Sequence, residues 1–88
     1  MIDQTRLQSF REKLDGHYAW PSLYTFKFIV PKGQEGKVRK LFPMHTPSER
    51  ASKNGNYISI TVQTMMQSTE AVIEVYQNAS AIEGIIAL

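Results

Sequence analysis

Hydrophobic and polar positions along this 88-residue chain change period several times, and each change marks an element. Leu7, Phe10 and Leu14 recur at spacings of three and four, which predicts a first helix over 3–15, with Asp3 as N-cap and Asp15-Gly16 as its end. His17 to Pro21 reads as a connection, and Trp20, preceding Pro21, is pushed away from helical geometry. From Ser22 to Val30 the period becomes two: Tyr24, Phe26, Phe28 and Val30 share one face of a strand, while Thr25 and Lys27 take the other. Pro31 to Gly36 breaks that strand, and Lys37 to Phe42 forms a short helix with Val38, Leu41 and Phe42 on its apolar side, stopped by Pro43.

Tyr57 to Thr64 alternates again, with Ile58, Ile60 and Val62 on one face and Tyr57, Ser59, Thr61 and Gln63 on the other. Asn54-Gly55 just before it is the preferred pair for a two-residue hairpin turn, in which both positions need positive φ. The hairpin needs a partner, so Ser48 to Lys53 is assigned as a strand. Ser68 or Thr69 caps a last helix, whose stripe is Val72, Val75, Tyr76, Ala79 and Ile82. Glu70 complements its dipole, Gly84 stops it, and Ile85 to Leu88 supplies a final short strand.

After the leading helix the order is strand, helix, strand, strand, helix, strand. Two such halves joined by a tight hairpin make an α+β fold, the ferredoxin-like two-layer sandwich (βαββαβ) with a four-stranded antiparallel sheet. Right-handed crossovers put both helices on one face. The expected division is residues 1–19 as N-terminal helix and connection, then residues 20–88 as the sandwich. The second and fourth strands fall at the edges. Arg50 and Lys53 then guard one edge with charge, leaving the apolar last strand less defended.

Composition narrows the function classes. The chain is 42% hydrophobic, ordinary for a globular protein, and no segment approaches the roughly 20 apolar residues of a membrane helix. The N-terminus carries no apolar stretch resembling a secretory signal, so a cytoplasmic location is expected, with no membrane partner. The absence of cysteine removes disulfides, thiolate zinc sites and cysteine nucleophiles together. Charge is uneven: residues 27–53 hold seven basic and two acidic side chains, whereas residues 54–88 hold three Glu and no Lys or Arg. Such asymmetry suits an anion or nucleic-acid surface, and equally a solvated helix face beside a charged sheet edge.

Pro21-Ser22-Leu23-Tyr24-Thr25-Phe26-Lys27-Phe28 and Ser52-Lys53-Asn54-Gly55-Asn56-Tyr57-Ile58-Ser59-Ile60-Thr61-Val62 resemble the YbeD-like family of small bacterial proteins of unknown function. The likeness continues through Glu70-Ala71-Val72-Ile73-Glu74-Val75-Tyr76 to Gly84-Ile85-Ile86, covering roughly 20–88, with Asn54 as an extra residue in the hairpin. The resemblance implies a ferredoxin-like fold similar to the ACT regulatory domains that bind small effectors beside metabolic enzymes. It implies no enzymatic activity.

Candidate chemistry is sparse. Lys32, Gly33 and Gly36 lie in a loop before a helix, where backbone amides could hold an anion; the plainer reading is a flexible turn after Pro31. The resemblance adds that the corresponding loop of ACT-like domains takes part in effector binding. Tyr57 with Lys27 and Lys53 could form an open platform for RNA, although base-stacking sheets need several aromatics on that face. His17 and His45 stand 28 positions apart with no nearby ligand partners, which argues against a metal site. Glu70 and Glu74 read as a solvated helix face, and no serine sits in a nucleophile-elbow pattern. The expectation is a non-catalytic binding or regulatory module without cofactor, forming a homodimer and engaging a small anionic effector or a partner enzyme. The alternative is an RNA-binding domain. Lys32, Gly33, Gly36, Lys53 and Tyr57 are the candidate interaction residues.

Overall fold

A computed structural model describes residues 4–88, so the expected N-cap Asp3 lies outside the described residues. The elements are α1 (Gln4–His17), β1 (Ser22–Pro31), α2 (Glu35–Leu41), β2 (Ser48–Ala51), β3 (Tyr57–Met66), α3 (Thr69–Ala79) and β4 (Ile86–Ala87). The sheet is antiparallel with order β2-β3-β1-β4, a ferredoxin-like arrangement preceded by a helix. The alternating runs meet in register: Phe26 pairs with Val62, Phe28 with Ile60 and Val30 with Ile58. Successive strand residues point to opposite faces, so this register gathers Tyr24, Phe26, Phe28 and Val30 with Ile58, Ile60 and Val62 on one face. Phe26, Phe28, Val30 and Ile60 are completely buried there, with Val38 of α2 and Val72 of α3. Burying such a side chain contributes about 1.5–3 kcal/mol, so this face dominates the folding free energy.

Several boundaries differ from the sequence expectations. α1 continues through Asp15-Gly16 to His17, and the Tyr18 N–H donates to the Leu14 carbonyl at 3.0 Å. A helical glycine costs only about 1 kcal/mol, and buried Leu14 together with tertiary bonds at Asp15 outweighs it. The hairpin is not a two-residue turn. Ala51 pairs with Ile58, the Ser52 N–H donates to the Tyr57 carbonyl at 2.8 Å, and residues 53–56 form the loop. Only Gly55 takes positive φ (+76°); Asn54 does not, which excludes the turn type that needs both. The edge strand β2 therefore ends at Ala51 and Lys53 belongs to the loop, leaving Glu49 and Arg50 as the charges on that edge.

α3 is capped by the Ser68 Oγ, which accepts from the Ala71 N–H at 3.1 Å. It ends at Ala79, before Ile82 and Gly84, with Ser80 as C-cap. Gly84 has another task. At φ +76° a Cβ there would lie 2.7 Å from Pro31 Cγ, so glycine lets the chain entering β4 pass close to the end of β1.

The leading helix joins the helical layer. Phe10 meets the Tyr76 ring edge-on at 5.5 Å, and Arg11 forms an ion pair with Glu70. Trp20 Nε1 donates to Thr69 Oγ1 at 2.8 Å, and that hydroxyl donates onward to Asp15 Oδ1 at 2.5 Å. α1 is thus pinned to the start of α3, on the side of the sheet that α2 and α3 already cover. The opposite face is left open. Among the described residues no helix is long and apolar enough to cross a membrane.

Candidate functional site

The sequence-derived candidates collect largely at one end of the sheet. The Pro31–Tyr57 pair closes the β1–β3 ladder, and the Lys32 N–H donates to the Asn56 carbonyl at 2.9 Å. The loop carrying Lys32 and Gly33 is thereby stitched to the hairpin carrying Lys53 and leading into Tyr57. Gly36 stands apart, in the first turn of α2. Gly33 adopts φ +103°, a conformation that glycine reaches without strain.

The donor that an external anion would seek in this loop is already occupied. The Gly33 N–H points at Glu35 Oε1, 2.6 Å away. Hydrogen bonds from the backbone N–H of Glu35 itself and from that of Gly33 hold the Glu35 carboxyl below the usual carboxylate range. The loop is an anion nest filled by the chain's own carboxylate, and a metabolite would have to displace it. Nearby, Arg39 grips Glu49 through two 2.6 Å bonds, tying α2 to β2. The hydrogen bond to Arg39 keeps Glu49 ionised to lower pH than a free glutamate.

The open face supplies more surface. Parity and register place Leu23, Thr25, Lys27 and Ile29 of β1 beside Met65, Gln63, Thr61 and Ser59 of β3. Arg50 lies opposite Ser59, and Ile86 opposite Ile29. Leu23, Met65, Tyr57, Ile86 and Leu88 are between 48% and 65% exposed, and among the described residues they account for all but one of the exposed large apolar side chains, Met44 being the other. Four occupy outward strand positions, and Leu88 follows β4 where its N–H meets the Lys27 carbonyl. The outward strand positions carry Lys27 and Arg50 and no carboxylate. The face expected to be mostly polar therefore has a polar middle and apolar ends. Met65 belongs to this outer face, whereas Met66 packs against the core.

Two hollows escaped the sequence reading. One, of about 670 Å³, lies between α1, α3 and the segment entering β4, with Leu7, Phe10, Ile73 and Tyr76 as walls and Phe28 at its floor. The other, about 440 Å³, lies between the end of α1 and β1, bordered by Leu14, His17, Tyr18 and Tyr24. The Leu7/Phe10/Leu14 stripe was the only linear signal for either. Between them the Tyr24 and Tyr76 hydroxyls meet at 3.0 Å. Burial raises the pKa of both, so they stay protonated and serve as a hydrogen-bonded link within the core. Among the described residues no three His, Asp or Glu side chains gather as a metal site, and His17 and His45 are both exposed.

No curated protein and no solved structure matches the chain. A family model described as protein of unknown function (DUF493) matches residues 15–88, starting within the last turn of α1 and covering every strand. The chain belongs to that family, protein of unknown function (DUF493).

Proposed function

We propose that this protein is a non-catalytic, cytoplasmic binding module of the YbeD-like kind, a homodimer that regulates or assists another protein by docking through the open face of its sheet. The observation that carries the reading is the concentration of exposed apolar side chains on that face. Isolated surface apolar residues need no explanation, but several that share one uncovered layer favour an interaction site. The polar middle built from Thr25, Lys27, Thr61 and Gln63 would fix orientation, while Leu23, Met65, Tyr57 and Ile86 would supply anchors. Docking is favoured over sensing of a small anion because Glu35 fills the amide of the glycine loop.

Lys27 and Arg50 on the same face, with Tyr57, are what an RNA-binding reading would use. One exposed aromatic is a poor stacking platform, and this reading stands second.

The test compares proteins co-purifying with the wild type, with Met65→Glu and with Glu74→Lys on the polar side of α3. A partner retained by Glu74→Lys and lost by Met65→Glu supports face docking. The same partners in all three overturn it. Binding to single-stranded RNA that weakens with salt, by a slope of about 0.7 per phosphate contact, would replace it with the second reading.

A further inference from the structure

The outward positions of β2, β3 and β1 form one continuous surface whose charge has a single sign. Arg50, Ser59 and Ile29 make one row across the strands, and Ser48, Thr61 and Lys27 make the next. Gln63 with Thr25, and then Met65 with Leu23, complete the surface. Lys27 and Arg50 are both exposed, and no carboxylate shares these rows with them. Among the described strands the acidic residue is Glu49. It sits opposite buried Ile60, and Arg39 of α2 holds its carboxylate on the helical side. The other described Asp and Glu residues belong to α1, α2, α3 or the turn before β4.

The shape of this surface sets the form of what can cover it. A sheet face offers side chains only, because the strand backbones spend their hydrogen bonds on one another. An element laid on it must satisfy its own N–H and C=O groups, and a helix does so. At a strand spacing of roughly 4.8 Å, β1 lies about 10 Å from β2. A helix with its side chains is about 10–12 Å across, so one helix centred over β3 covers the three strands. The span from Tyr57 to Met65 is about 27 Å, the length of a helix of about 18 residues. That span has exposed apolar ends, Tyr57 at one and Met65 beside Leu23 at the other, with small Ser59 and Thr61 between them. Lys27 on β1 and Arg50 on β2 flank β3 on opposite sides.

We infer that the partner docked on the open face is a protein presenting an acidic amphipathic helix, which lies along β3 with its carboxylates toward Lys27 and Arg50. The inference rests on the face docking proposed above and specifies the partner's chemistry. The helix sets apolar anchors on the Tyr57 and Met65 ends, and its two acidic flanks each meet one cation. Charge complementarity selects this occupant. A second copy stacked face to face would bring Lys27 and Arg50 against the same pair, with no carboxylate on either face to receive them. A basic helix meets the same repulsion. Carboxylates facing the two cations steer the encounter and fix the register, while like charge rejects wrong partners. The product is a three-layer arrangement, with helices on both sides of the sheet.

The experiment uses the full chain in its own cell, with the photo-crosslinking residue p-benzoylphenylalanine in place of Gln63, which is exposed on β3 and diagonal to Lys27. Mass spectrometry after irradiation reads the segment attached. Circular dichroism checks that each variant is folded. The expected segment comes from another protein, has a helical apolar stripe and carries Asp or Glu on both sides of it. Binding of that protein should fall about tenfold or more when Lys27→Glu is combined with Arg50→Glu, and should survive Lys27→Arg, which keeps the charge. A segment without carboxylates, or one from this chain or a second copy, overturns the acidic helix and leaves docking through the face standing. So does a partner lost with Met65→Glu but held equally by the charge-reversed variant. A partner that Met65→Glu retains, attachment to RNA, or no crosslink at all overturns the face docking and the inference with it.

Discussion

The two faces of β1 are made from one ten-residue strand, yet they obey different rules. Tyr24, Phe26, Phe28 and Val30 point into a closed layer of aromatic rings and helices, with Phe26 and Phe28 stacked nearly parallel and Phe42 and Tyr76 against them. Leu23, Thr25, Lys27 and Ile29, offset by one residue each, face outward on the uncovered side. What differs is the number of elements above each face. Three helices cover one, and none covers the other. Side chains on the inner face are therefore constrained by packing, and those on the outer face are available for recognition.

The sharpest way to break this contrast is a matched pair of truncations. Phe26→Ala should cost about 3–5 kcal/mol in urea unfolding, whereas Thr61→Ala on the outer face should stay within about 0.5 kcal/mol. Comparable losses would mean that the outer face is also packed. A smaller effect tests whether α1 belongs to the inner layer. Trp20→Phe keeps the ring packing but removes the donor to buried Thr69, and should cost about 1–2 kcal/mol by the same measurement. No loss would show that α1 is only loosely attached.

The gentlest probe is pH. Burial raises the Tyr76 pKa above that of an unfolded tyrosine, about 10, so the fold keeps a proton that the unfolded chain releases. The associated stability is fully present below pH 10 and is lost as pH rises beyond it, by up to about 1.4 kcal/mol per pH unit per proton. Tyr76→Phe should therefore show a shallower alkaline decline between pH 9.5 and 11, measured relative to its own stability at pH 8. Parallel profiles would mean that the hydroxyl is hydrated.

The inner face was legible because a strand's side-chain period is two, and two aligned apolar runs on a hairpin have few ways to share a core. The apolar ends of the outer face were harder to see. Leu23 and Met65 are 42 positions apart, and neither is unusual alone. Only the β1–β3 register sets them side by side. Asn54-Gly55 marked the hairpin but misstated its length, since the pair also fits a four-residue loop in which Gly55 alone turns left-handed. The glycine loop left an anion site open beside the plainer reading of a flexible turn, because a linear reading cannot show the Glu35 carboxylate folding back onto the Gly33 amide.

Alternation, helical stripes and breakers, all consequences of local backbone geometry, were enough to establish the α+β architecture, the element order and the side of the sheet that is buried. Three things depended on contacts between distant parts of the chain. The Trp20–Thr69–Asp15 relay decided where α1 lies, the close pass of Gly84 by Pro31 decided how the chain enters β4, and the register of β1 with β3 assembled the exposed apolar surface. Local patterning specifies how each segment folds against itself. Which surfaces remain uncovered is known only once every segment has taken its neighbours.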